Sequence, residues 1–271
     1  MDEKRETKHN ISFSGGLGSA ISVLAAHRYG VPFRLLFADT LAEDPDLYRF
    51  TSDVVQAVDG ELIRLVDGRT PWDVFEDRKF IGNTRIAQCS SILKTDMVME
   101  WLGANAEPDE PLVLGMDWSE QDRIDRAQRV WAPRPVVSLL NQFKITRPTY
   151  AKWLADYGLR QPSLYDAGFP HNNCGGACVK QGLQGWATLL EKYPQRFAEA
   201  EDRMALAMER IGPTARPFLR LTRNKVTTYL TLKEFRDRYQ SGDIKIDPYV
   251  DGHGGCGCFT DTLDLFQEQA A

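Results

Sequence analysis

Ile11-Ser12-Phe13-Ser14-Gly15-Gly16-Leu17-Gly18-Ser19-Ala20 joins an apolar run to a glycine and serine turn. A helical pattern follows, with Ile21, Val23, Leu24, Ala25 and Ala26 as its apolar positions. The stretch reads as a buried strand, a tight loop and a helix start. Glycines at 15, 16 and 18 let the backbone take positive φ and approach an anion closely, and the first helical amides lack intrahelical acceptors. Ser14 and Ser19 add hydroxyl donors, so the turn is suited to phosphate. It has neither the Gly-Lys-Ser/Thr ending of a Walker loop nor the spacing of a dinucleotide fingerprint.

Working outward, residues 33–37 read as a second buried strand that ends in Ala38-Asp39-Thr40. Ligands of an open parallel sheet sit beyond the carboxyl ends of its strands, so Asp39 and Thr40 are expected to face the same crevice as the glycine loop. Asp44-Pro45 reads as an N-cap followed by a first-turn proline, residues 61–66 as a third strand, and Thr70-Pro71-Trp72-Asp73 as a second helix start. Residues 111–117, Pro-Leu-Val-Leu-Gly-Met-Asp, form a fourth apolar run that ends at the same crevice. An amphipathic helix is expected over 148–159 with Trp153 and Leu154 inward. A long helical tract follows over 180–211, interrupted at Tyr193-Pro194, with Trp186, Leu189, Leu190, Phe197 and Leu206 as core. Residues 218–239 read as a short strand and a helix from Thr231.

Several segments carry a family resemblance. Residues 14–19 resemble the Ser-Gly-Gly-x-Asp-Ser loop of the PP-loop superfamily, which comprises the ATP pyrophosphatases and the phosphoadenosine-phosphosulfate (PAPS) reductases. Leu36-Phe37-Ala38-Asp39-Thr40 with Asp44-Pro45-Asp46-Leu47-Tyr48-Arg49-Phe50 is similar to the Asp-Thr-Gly and Pro-Glu-Thr-Tyr-x-Phe segment of the PAPS and adenosine-phosphosulfate (APS) reductases. Arg85-Ile86-Ala87-Gln88-Cys89-Ser90-Ser91-Ile92-Leu93-Lys94 resembles their Cys-Cys-x-x-x-Lys helix. Pro162-Ser163-Leu164-Tyr165-Asp166-Ala167-Gly168 resembles the segment that leads into their paired cysteines, here Cys174 and Cys178.

The resemblance implies an α/β fold of the PP-loop/HUP kind, an open and mostly parallel sheet flanked by helices, over residues 1–180. A helical, cysteine-bearing extension would occupy 181–271. It also implies an adenine nucleotide (ATP, APS or PAPS) with its phosphate on Ser14, Gly15, Gly16, Gly18 and Ser19, beside Asp39 and Thr40. Arg85 and Lys94 would be the cations that face an anionic substrate. Two positions depart from the pattern. Gly18 stands where ATP-cleaving members commonly carry an aspartate tied to magnesium, and Asp117 stands where the reductases carry an arginine.

The five cysteines are Cys89, Cys174, Cys178, Cys256 and Cys258. An odd number, mostly in close pairs and without a secretion signal, points to metal or redox chemistry rather than a disulfide framework. Three arrangements remain open. Cys174, Cys178 and two of the others could hold an iron–sulfur cluster, as the resemblance implies. Cys174, Cys178, Cys256 and Cys258 could form a zinc site stapling the tail to the body. Cys256 or Cys258 could be a nucleophile on a mobile tail. His171 and His253 are spare ligands or general acids.

Composition sets the remaining bounds. At 271 residues with 42% hydrophobic and 26% charged content, the chain has the make-up of a soluble globular protein. No apolar run approaches the ~20 residues that span a bilayer, and the charged start, residues 1–10, lacks an export signal's apolar core. A cytoplasmic location and no membrane partner are expected. A net charge of −5 provides no global attraction to nucleic acid, although it leaves a local contact open. The basic runs at Arg123, Arg126, Arg129 and Arg134 and at Arg216, Arg220, Arg223 and Lys225 read as solvated faces.

Two chemistries fit this frame: sulfonucleotide reduction, and ATP-dependent adenylation with sulfur transfer, the latter with Mg²⁺ help. An electron or sulfur donor protein, or a second copy of the chain, would be the partner. The contrasting expectation is a catalytically inactive nucleotide-binding or nucleic-acid-modification accessory protein with a structural zinc.

Overall fold

The computed structural model describes residues 7–223, 225–247 and 251. Strands β1 (His9–Ser12), β2 (Phe33–Ala38) and β3 (Leu62–Leu65) alternate with helices α1 (Leu17–Arg28), α2 (Pro45–Ala57) and α3 (Pro71–Arg78). Next come α4 (Gln88–Ser90), a π-helical stretch (Ser91–Asp96), α5 (Met97–Asn105), β4 (Leu112–Val113), α6 (Gln121–Trp131) and β5 (Val136–Val137). The remaining elements are α7 (Leu139–Gln142), α8 (Tyr150–Asp156), α9 (Ser163–Asp166), α10 (Leu183–Lys192), α11 (Pro194–Ile211), the hairpin β6 (Leu219–Arg223) and β7 (Val226–Leu230), and α12 (Leu232–Gln240). The expected α/β architecture is present.

The five-stranded sheet has the order β3-β2-β1-β4-β5, and every pairing in it is parallel. His9 lies opposite Phe33, Asn10 opposite Leu112, and Leu112 opposite Val136. The chain runs outward from β1 to β3 and then returns to the other side of β1 with β4. The carboxyl ends of β1 and β4 therefore part around a crevice, the place where this topology binds ligands.

Helix α1 follows β1 and is buried from Ser19 through Ala26. Its small residues allow close packing against β1, α2, α7 and α8, in a core that includes Ile11, Phe13, Ile21, Leu24, Phe50 and Trp153. The start of α2 is as the sequence indicates: Asp44 accepts from the Asp46 amide and Pro45 stands in the first turn. Helix α3 begins with a capping box, Thr70 and Asp73 each bonding the other's backbone. Trp153 and Leu154 point inward on α8.

A second core draws residues from both sides of position 180. Phe75, Ile81, Leu164, Phe169 and Val179 bury together with Trp186, Phe197, Phe218 and Phe235. Two local readings change. Leu206 is 37% exposed, because the buried stripe of α11 runs Phe197, Ala200, Met204, Ala207, Ile211 and a residue two positions from Met204 lies off that face. Residues 218–239 contain two antiparallel strands rather than one, with Leu219 opposite Leu230. No helix among the described residues is long and apolar enough to cross a membrane.

Candidate functional site

A cavity of about 410 Å³ opens at the crevice between β1 and β4. Its floor is the glycine loop, with Ser14, Gly16, Gly18 and Ser19 lining it. Gly16 is the N-cap of α1 and has no side chain with which to cap that helix end. The Ala20 amide is the one that turns back onto the Gly16 carbonyl, at 3.0 Å. The Leu17 amide donates to Tyr165 Oη, 3.2 Å away on α9.

The loop glycines are held by contacts that a side chain would break. Gly15 has φ +71°, and a Cβ there would fall 2.6 Å from Leu47 Cγ. A Cβ on Gly18 would fall 2.2 Å from the Gly115 carbonyl oxygen, just past β4. An aspartate therefore has no room at position 18 in this packing.

The serines behave differently from the expectation. Ser19 Oγ donates to the Gly16 carbonyl at 2.9 Å and accepts from the Ser14 amide at 3.2 Å. With that hydrogen committed, the 3.1 Å contact between the two hydroxyls runs from Ser14 to Ser19. Both hydroxyl hydrogens stitch the loop, so donation to an anion falls mainly to the backbone at the head of α1.

Lys94 also lines the cavity. It sits in the π-helical stretch, a distortion often found at functional sites. Its Nζ pairs with Glu43 Oε1 at 2.9 Å, and the Glu43 side chain is 1% exposed. The same carboxylate accepts from Thr40 Oγ1 at 3.0 Å and from the Cys174 amide at 2.9 Å. Thr40 therefore reaches the cavity through Glu43 and Lys94 rather than by lining it. Asp39 is fully buried, bonded to Arg64 at 2.6 Å and to Tyr48 Oη at 2.9 Å. It is not a lining residue. Arg85 is exposed and likewise absent from the lining, and its carbonyl faces Lys180.

The structure brings in residues that the sequence reading did not select. Arg123, Arg147, Glu120, Tyr150, Tyr165 and Asn172 all line the cavity. Arg123 belongs to the basic run assigned to a solvated face; its place a short way past the β4 end is the signal that marks it. Arg147 comes from a distant turn and carried no local signal. Asn172 donates to the Gly15 carbonyl at 3.0 Å and fastens the segment after Phe169 to the loop.

The charge reversal at Asp117 is compensated. Its carboxylate accepts from Arg147 Nε at 2.9 Å and from the Ser119 amide at 2.9 Å. Burial pushes the carboxyl up, but the hydrogen bonds from Ser119 and Arg147 outweigh it and hold the group below its ordinary value. It stays ionised and positions an arginine at the cavity.

Cys174 (φ +46°) opens a run of left-handed residues continued by Gly175 and Gly176. Its thiol bonds to that of Cys178, and this bond together with burial pushes it up from the ordinary thiol value. Cys89 is half-buried against the second core. Cys256, Cys258 and His253 lie outside the described residues. Among the described residues no group of three or more His, Cys, Asp or Glu side chains is placed to hold a metal. The thiol pair alone does not fill a four-ligand site.

No protein-family model matches the chain, and no curated protein matches it. Among solved structures it is similar to the crystal structure of phosphoadenylyl-sulfate (PAPS) reductase from Candida auris in its phosphate complex. The identity is 12% and the TM-score 0.44, over 61% of this chain and 80% of that one.

Proposed function

We propose that the chain is a PP-loop-type enzyme that binds an adenine nucleotide in the cavity between β1 and β4, with a phosphate on the head of α1. The observation that carries this reading is the convergence in one cavity of a helix start whose N-cap is a glycine with Lys94, Arg123 and Arg147. The first-turn amides beyond Leu17 and the helix dipole favour an anion on the loop, and the arginines offer forked donors to further anionic oxygens of the ligand. The adenine assignment rests on the ordered sequence segments that resemble the PAPS and APS reductases.

Of the two chemistries, sulfonucleotide reduction is favoured. The contact of Gly18 with Gly115 excludes the loop aspartate that ATP-cleaving members commonly tie to magnesium. In this reaction a cysteine thiolate attacks the sulfur, the bond from sulfur to the phosphate oxygen breaks, and AMP or adenosine bisphosphate leaves; a second thiol then attacks the S-sulfonated cysteine and displaces sulfite, and an external dithiol reduces the disulfide that forms. The residues named here hold the phosphate and neutralise the leaving group. Cys256 and Cys258 remain the candidate nucleophiles from the sequence.

The test is incubation of the full chain with APS, PAPS or ATP in the presence of a dithiol reductant, followed by separation of sulfite, AMP and pyrophosphate. Sulfite with AMP or adenosine bisphosphate is expected. Pyrophosphate release from ATP would replace reduction with adenylation. Binding without any product would make the chain an accessory nucleotide-binding protein.

A further inference from the structure

Glu120 is an acid placed among the cations of an anion site. It lines the same cavity as the glycine loop, and its carboxylate pairs with arginines on both sides. One is Arg123, on α6. The other is Arg147, in the turn Arg147–Thr149, whose Nη2 lies 3.1 Å from Glu120 Oε2.

The two acids that touch Arg147 stand in different surroundings. Asp117 has a side chain 3% exposed, accepts from Ser119 and caps the turn Trp118–Glu120, so it is fixed. Glu120 has a side chain 18% exposed on the cavity wall, and its partner Arg147 is 61% exposed. An ion pair at so exposed an arginine is weak and exchanges readily for another anion. Arg123 Nε is also buried with no hydrogen-bond partner among the described residues. Its donor capacity is therefore not used up by Glu120.

We propose that Glu120 is an internal anion that holds the seat between Arg123 and Arg147 until a second anionic group of the ligand displaces it. Arg123 and Arg147 thereby favour nucleotides that carry a charged group in addition to the phosphate on the glycine loop, and Glu120, as the competing anion, moderates the affinity for that group. The inference rests on the reading that the loop binds the first phosphate. A ligand with one phosphate leaves Glu120 in place and gains nothing from the arginines. A ligand with a second anionic group gains two forked donors once Glu120 turns away. The second group can sit on the same phosphate chain or elsewhere on the sugar; the chemistry that recognises it is the same.

The test is calorimetry at low salt on the full chain and on Glu120→Gln and Arg147→Gln, with AMP, ADP and adenosine 3′,5′-bisphosphate as probes. In the unmodified chain at least one two-phosphate ligand is expected to bind more tightly than AMP. Glu120→Gln should tighten that ligand by about tenfold, a change of the size expected for removing a competing charge, while AMP changes less than twofold. Arg147→Gln should weaken that two-phosphate ligand severalfold, toward the affinity of AMP, with Arg123 keeping the remainder. Whichever of ADP and the bisphosphate responds locates the second group. Equal tightening of AMP and the two-phosphate ligands, or no tightening of either, overturns the role of Glu120 while leaving the loop reading intact. Failure of all three ligands to bind the unmodified chain overturns the loop reading, and this inference with it. Thermal melts of each variant confirm that differences in affinity do not come from unfolding.

Discussion

The Gly18 α-carbon and the Gly115 carbonyl meet backbone to backbone: a Cβ on Gly18 would stand 2.2 Å from that oxygen, and one on Gly115 would stand 2.3 Å from the Ser19 amide nitrogen. The head of α1 and the end of β4 are thus joined without intervening side chains. Gly18→Ala is expected to force the two apart at a cost of about 1–3 kcal/mol. Urea denaturation would show a lower midpoint with unchanged slope. Because the displaced amides are those that face the cavity, nucleotide affinity should fall as well. An alanine chain of unaltered stability would mean that the loop relaxes freely.

Lys94 and Glu43 form a pair in which the acid is almost completely enclosed, its side chain 1% exposed. Lys94→Met would leave that carboxylate with Thr40 Oγ1 and the Cys174 amide, and breaking such a pair costs about 3–5 kcal/mol. Adding Glu43→Gln should recover much of the stability, since the charge that needed neutralising is gone. It should not recover nucleotide binding, because the cation that lines the cavity stays missing. Recovery of both would show that Lys94 acts only through the fold.

Asp46 supplies a pH dependence. Its carboxylate is bonded by Arg49, with a further bond from the Ser163 amide at 2.8 Å, and the Arg49 bond in particular holds it at about 2. The folded value lies below the ordinary carboxylate value near 4, so the stabilisation is fully present above about pH 4. It is lost as pH falls from there through about 2, a contribution of about 2 kcal/mol at neutral pH. Asp46→Asn should therefore lower the urea midpoint at pH 7, and the two chains should converge toward pH 2. A constant difference across that range would place the effect in packing rather than ionisation.

The buried stripe of α11 makes a contrast between two leucines. Leu206→Gln should change stability by less than about 0.5 kcal/mol, as for an exposed position, whereas Leu189→Ala on α10, fully buried, should cost about 2–5 kcal/mol. Equal costs would contradict the placement of Leu206 outside the core.

What the sequence revealed and what it hid follow from the range of the interactions. Strand ends, the Asp44 cap, the Thr70 box and the glycine turn are written in residues a few positions apart, and each was legible. Arg147 is held at the cavity by Asp117 and Glu120 across the fold, contacts that span thirty and 27 residues and leave no local trace. Asp39 looked like a cavity residue because it ends a strand at the crevice, yet Arg64 and Tyr48 engage its carboxylate. The second strand of the hairpin was missed because β7 is exposed over Val226–Tyr229, leaving no alternating apolar pattern to read.

The second core has a practical consequence for anyone dissecting the chain. Arg196 on α11 bonds both Asp44, at 2.5 Å, and the Gly175 carbonyl, at 3.3 Å, and Phe75, Ile81 and Leu164 share their burial with Trp186 and Phe197. A fragment cut at residue 180 would bare an oily surface and release the clasp that steadies the Cys174 turn. Such a piece should come out of expression as aggregate, and the helices that carry none of the proposed chemistry would prove to be its scaffolding.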